Sequence, residues 1–103
     1  MNCERKRRQT PPGEVLAELY LKPRGVSIAK FATAAGVSRK HMSAIVNGRA
    51  AITAEAATRI AMALGTTAQY WLNLQNAVDL YDAKAKLRLA KQRIQRLEAF
   101  EHV

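Results

Sequence analysis

Ser27-Ile-Ala-Lys-Phe-Ala-Thr-Ala-Ala-Gly-Val-Ser-Arg-Lys-His-Met-Ser-Ala-Ile-Val-Asn-Gly48 is the stretch whose reading decides the fold. It divides into two short helical patterns on either side of Gly36. Ser27 stands where a side-chain oxygen can accept from the unpaired N–H groups that open a helix, and Ile28, Phe31, Ala32 and Ala35 then fall on one face. Gly36 suits the left-handed turn that closes such a helix, because it has no Cβ to clash there. Val37 enters the core and Ser38 caps a second helix over residues 39–47, with Met42, Ile45 and Val46 as its apolar stripe and Gly48 as its stop. Ala32 is small where the two helices must cross. The pattern predicts two helices held across a tight turn, with one face of the second left free.

The same signals extend in both directions. Residues 1–10 are polar and basic without apolar periodicity and predict a flexible arm, which Pro11-Pro12-Gly13 ends. Residues 14–21 place Val15, Leu16, Leu19 and Tyr20 on one helical face, and Pro23 with Gly25 stops that helix. Downstream, Thr53 caps a helix that runs to Leu64 with Glu55 in its first turn, burying Ala57, Ile60, Ala61 and Leu64 before Gly65 ends it. From Thr67 a fifth helix carries Tyr70, Trp71, Leu74 and Val78, four residues that suit a core or a dimer surface. No Pro or Gly follows, so this helix is expected to run on into the tail. The prediction is an all-α fold: a five-helix domain over residues 11–80, preceded by the arm and followed by a basic helical tail over residues 81–103.

Leu80, Ala83, Leu87, Ala90, Ile94 and Leu97 follow the 3-4 spacing of a coiled-coil seam. Placing Leu80 at position a puts Lys84 and Lys91 at e and Lys86 and Arg93 at g, so a parallel self-pair would set Lys86 against Lys91 of its mate. That repulsion weakens a dimer seam, and the stripe could instead pack on the domain itself, meet a partner with an acidic rim, or fray into solvent.

Composition narrows the function classes. The chain has 103 residues, 49% of them hydrophobic, enough for one core without staples, and its formal net charge is +9. Residues 22–49 carry six bases (Lys22, Arg24, Lys30, Arg39, Lys40, Arg49) and no Asp or Glu. Arg5-Lys6-Arg7-Arg8 forms a second basic cluster, and a third near the carboxyl end is mixed with Asp82, Glu98 and Glu101. Such a distribution favours a polyanion, since each phosphate neutralised releases condensed counterions. Cys3 is the only cysteine, which excludes an internal disulfide and a cysteine-based metal site. No apolar run reaches membrane-span length, and a cytoplasmic location is expected. There is no Gly-rich phosphate loop, no metal-ligand pair and no acid beside a partner His or nucleophile, so neither an enzyme nor a cofactor is expected.

Two capped helices, a glycine turn and a base-only charge balance are the requirements of a DNA-binding helix-turn-helix. The free face of the second helix holds Ser38, Arg39, Lys40, His41, Ser43, Ala44 and Asn47. In a major groove Arg39 and Lys40 can donate to guanine acceptors, His41 can donate or accept, and Ala44 can touch a thymine methyl. Ser27, Ser38, Asn47 and Arg49 suit phosphates, through helix amino ends and the following loop. Each residue also has a plainer reading: Ser27 and Ser38 cap helices whether or not DNA binds, Asn47-Gly48 is an ordinary helix end, and the bases could be a solvated face. It is the combination that points to DNA.

Several segments carry a family resemblance: Pro12-Gly-Glu-Val-Leu16, Leu21-Lys-Pro-Arg-Gly-Val-Ser27, Gly36-Val-Ser-Arg39, Asn47-Gly-Arg49, Ile52-Thr53, Ala57-Thr-Arg-Ile-Ala61, Leu64-Gly-Thr-Thr67, Tyr70-Trp-Leu-Asn-Leu-Gln75 and Asp79-Leu80. With these the chain resembles the phage-repressor (XRE) type of helix-turn-helix and, more closely, the HigA/VapI-type antitoxins of toxin–antitoxin modules. The resemblance implies a lambda-repressor-like core, a homodimer on an inverted-repeat operator, repression of its own operon, and neutralisation of a RelE-like (HigB-like) mRNA endonuclease toxin. Pro11 stands where a His is common in that family, and Val78 where an aromatic is usual. Two alternatives stay open: a stand-alone repressor without a toxin, and a protein-interaction module that uses the basic tail.

Overall fold

The computed structural model describes residues 8–90 and 94–97, and among them five helices and no strand. Helix α1 opens at Pro12–Val15, continues through a π-helical stretch at Leu16–Leu21 and closes with a 3-10 turn at Lys22–Arg24. It is followed by α2 (Ile28–Ala35), α3 (Arg39–Val46), α4 (Ala54–Leu64) and α5 (Ala68–Leu89).

The caps read from the sequence are made. Ser27, Ser38, Thr53 and Thr67 accept from the backbone N–H of Lys30, His41, Ala56 and Tyr70 at 3.0, 3.1, 3.2 and 3.2 Å. Each satisfies one of the N–H groups that the first turn of a helix leaves unpaired. Gly36 ends α2 in the left-handed region at φ 72°.

Leu16, Met42, Ile45, Ile60 and Trp71 are the largest fully enclosed side chains. Buried Ala32, Ala57 and Ala61 let α4 approach α2 and α5 closely. Trp71 meets Tyr20 at 5.5 Å and stands edge-on to Tyr70 at 5.0 Å between ring centroids. Its indole N–H donates to Thr66 Oγ1 at 2.8 Å, so this large apolar body is buried without stranding its one polar atom. Gln75 on α5 accepts from the Ile52 N–H at 2.8 Å and ties the loop before α4 into the same core.

Two elements depart from the sequence reading. In α1 the expected inward face included Leu19, yet Leu19 is 61% exposed and Leu21 is buried. The cause is the π-helical stretch, in which the Lys22 N–H reaches back five residues to the Ala17 carbonyl. The wider turn rotates Leu19 outward and Leu21 inward. The helix also starts earlier than Glu14. Pro12 takes the first helical position, where its missing N–H costs nothing, and Gly13 is buried against α3.

The second departure is the tail. Of the residues 81–103 expected to be helical, α5 covers those up to Leu89, and residues 91–93 and 98–103 lie outside the described residues. Residues 94–97 are not helical, so Ile94 and Leu97 do not continue the seam. Lys86 and Arg88 occupy the last turn of α5, where cations suit the helix dipole. Leu80 and Leu87 are exposed, and a helical end with its apolar stripe uncovered gains little by extending. Lys91 and Arg93, like Cys3 and the arm residues 1–7, lie outside the described residues.

Candidate nucleic-acid interface

The orientation of α3 is fixed from three directions. Its inward residues Met42 and Ile45 are almost fully enclosed. Gly13 of α1 lies against the backbone of Ile45 and Val46, at the carboxyl end of α3. At the other end, Arg59 of α4 donates to the Gly36 carbonyl at 3.3 Å and more loosely to the Ala35 carbonyl at 3.5 Å. Glu55 holds the same guanidinium through Nε at 3.0 Å. Arg59 thus caps carbonyls at the end of α2 and pins the turn, a role that no local pattern in the motif announces.

The cations of residues 22–49 separate into two groups. Lys22 pairs with Glu18 at 2.6 Å, one helical turn back. Arg24 donates to the Tyr20 carbonyl at 3.1 Å and lies 5.8 Å from the centre of the Tyr20 ring. These two bases close α1. Lys30, Arg39, Lys40 and Arg49 are exposed and form no side-chain hydrogen bond or ion pair with the described residues.

The remaining residues expected to bind DNA divide similarly. His41 is exposed beside Arg39 and Lys40, and it lines a shallow depression between α3 and α4 with Ser38, Glu55 and Arg59. Ser27 and Ser38 are exposed, and their oxygens are engaged as cap acceptors while each hydroxyl keeps a hydrogen to donate. Asn47 turns its amide back onto α3, donating to the Ser43 carbonyl at 2.9 Å and to Ser43 Oγ at 3.3 Å. Asn47 is exposed and Ser43 half-buried. Ala44 is also half-buried, and its carbonyl accepts from the N–H groups of Arg49 and Ala50 at 2.8 and 3.1 Å. This double bond shapes the loop that presents Arg49.

Of the four residues read as core or dimer surface, Trp71 and Val78 are buried and Leu74 packs half-buried against the core. Tyr70 alone keeps substantial surface, at 37%. Its hydroxyl is pushed above the usual tyrosine value by desolvation and then by neighbouring Tyr20. Among the described residues no cluster of His, Cys, Asp or Glu could hold a metal ion, and no helix is long and apolar enough to cross a membrane.

A short helix clamped at both ends, with unpaired bases along its outer face and a capped helix before it, defines a helix-turn-helix domain of the DNA-binding type. The chain matches the helix-turn-helix family over residues 16–71. It is 43% identical over 79 residues to Antitoxin HigA-1 of Vibrio cholerae serotype O1, an alignment covering 77% of this chain and 74% of that protein. Among solved structures, Pseudomonas aeruginosa antitoxin HigA with the higBA promoter superposes with a TM-score of 0.81 at 33% identity, covering 87% of this chain and 99% of that one. Antitoxin GraA in complex with its operator gives a TM-score of 0.79 at 37% identity, with 88% and 93% covered. The chain belongs to the helix-turn-helix (XRE) family of HigA-type antitoxins, which is a family of DNA-binding proteins and not of enzymes.

Proposed function

We propose that this chain is an antitoxin that binds the operator of its own operon through α3, represses that operon, and neutralises a toxin of the RelE/HigB-like mRNA endonuclease class. The observation that carries the DNA part is the set of four unpaired bases, Lys30, Arg39, Lys40 and Arg49, on and beside a helix whose other face is locked into the core. Arg39, Lys40 and His41 are assigned to base edges, with Ala44 near a thymine methyl. Ser27, Ser38, Ser43, Asn47 and Arg49 are assigned to the backbone of the duplex. The relatives solved with promoter and operator DNA support this reading.

The protein acts in the cytoplasm as a homodimer. Two copies of α3 about 34 Å apart would enter successive major grooves, so the operator is an inverted repeat. The exposed apolar residues of α5, Leu80 and Leu87, together with Tyr70, are the surface offered to the mate or the toxin. Co-expression of the chain with its chromosomal neighbour tests the toxin assignment. Co-purification and rescue of growth are expected, and a neighbour that is harmless and never co-purifies would leave a repressor without a toxin.

A further inference from the structure

Arg8 and Asp82, 74 residues apart, form a two-pronged fork in which Arg8 Nε donates to Asp82 Oδ1 and Nη2 to Oδ2, both at 2.9 Å. Arg8 belongs to the stretch read as a flexible arm, and its guanidinium is nonetheless seated on α5. Both side chains are about half exposed, at 49% and 50%, and an exposed pair of this kind adds little to stability. What the pair does is orient a cation. The fork occupies one edge of the guanidinium and leaves both Nη1 hydrogens and the second Nη2 hydrogen to donate elsewhere. Arg8 and Asp82 line one concavity with Gly48, Arg49 and Asp79, so the fork stands beside the loop that leaves α3 and carries exposed Arg49. Of the two carboxylates there, Asp82 is covered by the fork, and Asp79 accepts from Gln75 Nε2 at 3.0 Å.

We propose that Arg8 is a further DNA contact of this chain, a phosphate-binding guanidinium beside Arg49, and that Asp82 is the positioning residue that holds it there. The inference rests on the DNA-binding reading above. A carboxylate matched to one edge of a guanidinium fixes its plane, and the remaining edge suits two oxygens of one phosphate. A free arginine has to be ordered when it binds, whereas the fork has ordered Arg8 beforehand. The consequence is one that simple electrostatics opposes. Asp82 is a negative charge on a protein of formal charge +9, so its removal should strengthen attraction to DNA if it were only a charge. If it positions Arg8, its removal weakens binding, because the released side chain must then be ordered at the phosphate.

The test is a salt series of anisotropy titrations with the full chain, using a duplex from the promoter of its own operon and an unrelated duplex of equal length. Losing one phosphate contact costs about fivefold in affinity near 0.15 M salt and flattens the log–log salt slope by about 0.9. Arg8→Ala is expected to lose that much on both duplexes, since phosphates carry no sequence information. Arg8→Lys is expected to recover little of the loss, because one ammonium cannot present an edge to the carboxylate and another to the phosphate. Asp82→Ala is expected to weaken binding in the unaltered chain and to strengthen it in the Arg8→Ala background, where the carboxylate is only a repulsive charge. A purely structural loss would not reverse sign in this way. Size-exclusion chromatography at the titration concentrations is expected to show every variant assembled as the unaltered chain is. Undiminished binding by Arg8→Ala, equal or tighter binding by Asp82→Ala, full recovery by lysine, or a loss that accompanies a change of assembly would overturn the proposal. Failure of the unaltered chain to bind either duplex would instead overturn the DNA reading itself, and the two failures are therefore distinguishable.

Discussion

Gly13 lies so close to Ile45 that a Cβ built on the glycine would overlap the Ile45 carbonyl oxygen and stand 2.9 Å from Val46 Cα. The neighbour is helix backbone, which cannot swing aside as a long side chain would. This contact seats α1 on the carboxyl end of α3 and gives the Pro12-Gly13-Glu14 opening a physical purpose. Gly13→Ala must force the two helices apart, at about 1–3 kcal/mol for overpacking. A thermal unfolding scan should register a drop of roughly 4–24 °C, from about 4–8 °C per kcal/mol in a domain this size. An unchanged midpoint would mean that α1 is not seated as described.

Arg59 supplies the matching restraint at the other end of α3. Arg59→Ala leaves the Gly36 carbonyl without its partner and should cost about 0.5–1.5 kcal/mol, as for a typical hydrogen bond. Arg59→Lys should recover little of this, because a single ammonium cannot hold Glu55 and the carbonyls at once. Amide exchange at Val37 and Ser38 is the sensitive probe: both substitutions should raise it, and a rise confined to the alanine variant would reduce Arg59 to a simple charge.

The Arg8 guanidinium holds the Asp82 carboxyl below the ordinary carboxylate range, chiefly through the fork itself. A depressed value means that the stabilising contribution is complete above the unfolded Asp value and is lost as pH falls through the lowered folded one. The fork should therefore be insensitive to pH from near neutrality down to the ordinary Asp range. A carboxyl NMR titration should place the Asp82 midpoint below that of an unpaired Asp, and Arg8→Ala should return it there. A midpoint unmoved by Arg8→Ala would show that the fork does not persist in solution.

Arg49 provides a contrast with the bases of α3. It sits on the loop held by the Ala44 carbonyl and is assigned to phosphate, so Arg49→Ala should weaken promoter and unrelated duplexes equally and lower the salt slope by about 0.9. A selective loss on the promoter duplex would move Arg49 into base readout.

The features legible in the sequence are those written locally. Ser27, Ser38, Thr53 and Thr67 each cap through an N–H three residues on, and Gly36 turns where its φ is positive, so a short window contains both partners. The exposed bases of α3 were legible for the same reason. The outward turn of Leu19 is not legible because Leu16, Leu19, Tyr20 and Leu21 are compatible with both an ordinary turn and a wider one, and only packing against the core selects between them. The end of α5 is not legible in the tail seam, because heptad spacing states what could be covered and not whether anything covers it. Arg59 and Asp82 carry no local signal, because their partners lie 23 and 74 residues away. Their roles exist only once the helices are assembled.

The central claim is that the outward face of α3 reads DNA. Its most direct test is a titration of Arg39→Ala/Lys40→Ala against the promoter duplex and an unrelated duplex, alongside the unaltered chain. Two lost base contacts should each remove about 1–3 kcal/mol of discrimination, so preference for the promoter should fall by at least tenfold while the fold, followed by the fluorescence of the single Trp71, stays intact. Undiminished preference in a folded double variant would contradict the account.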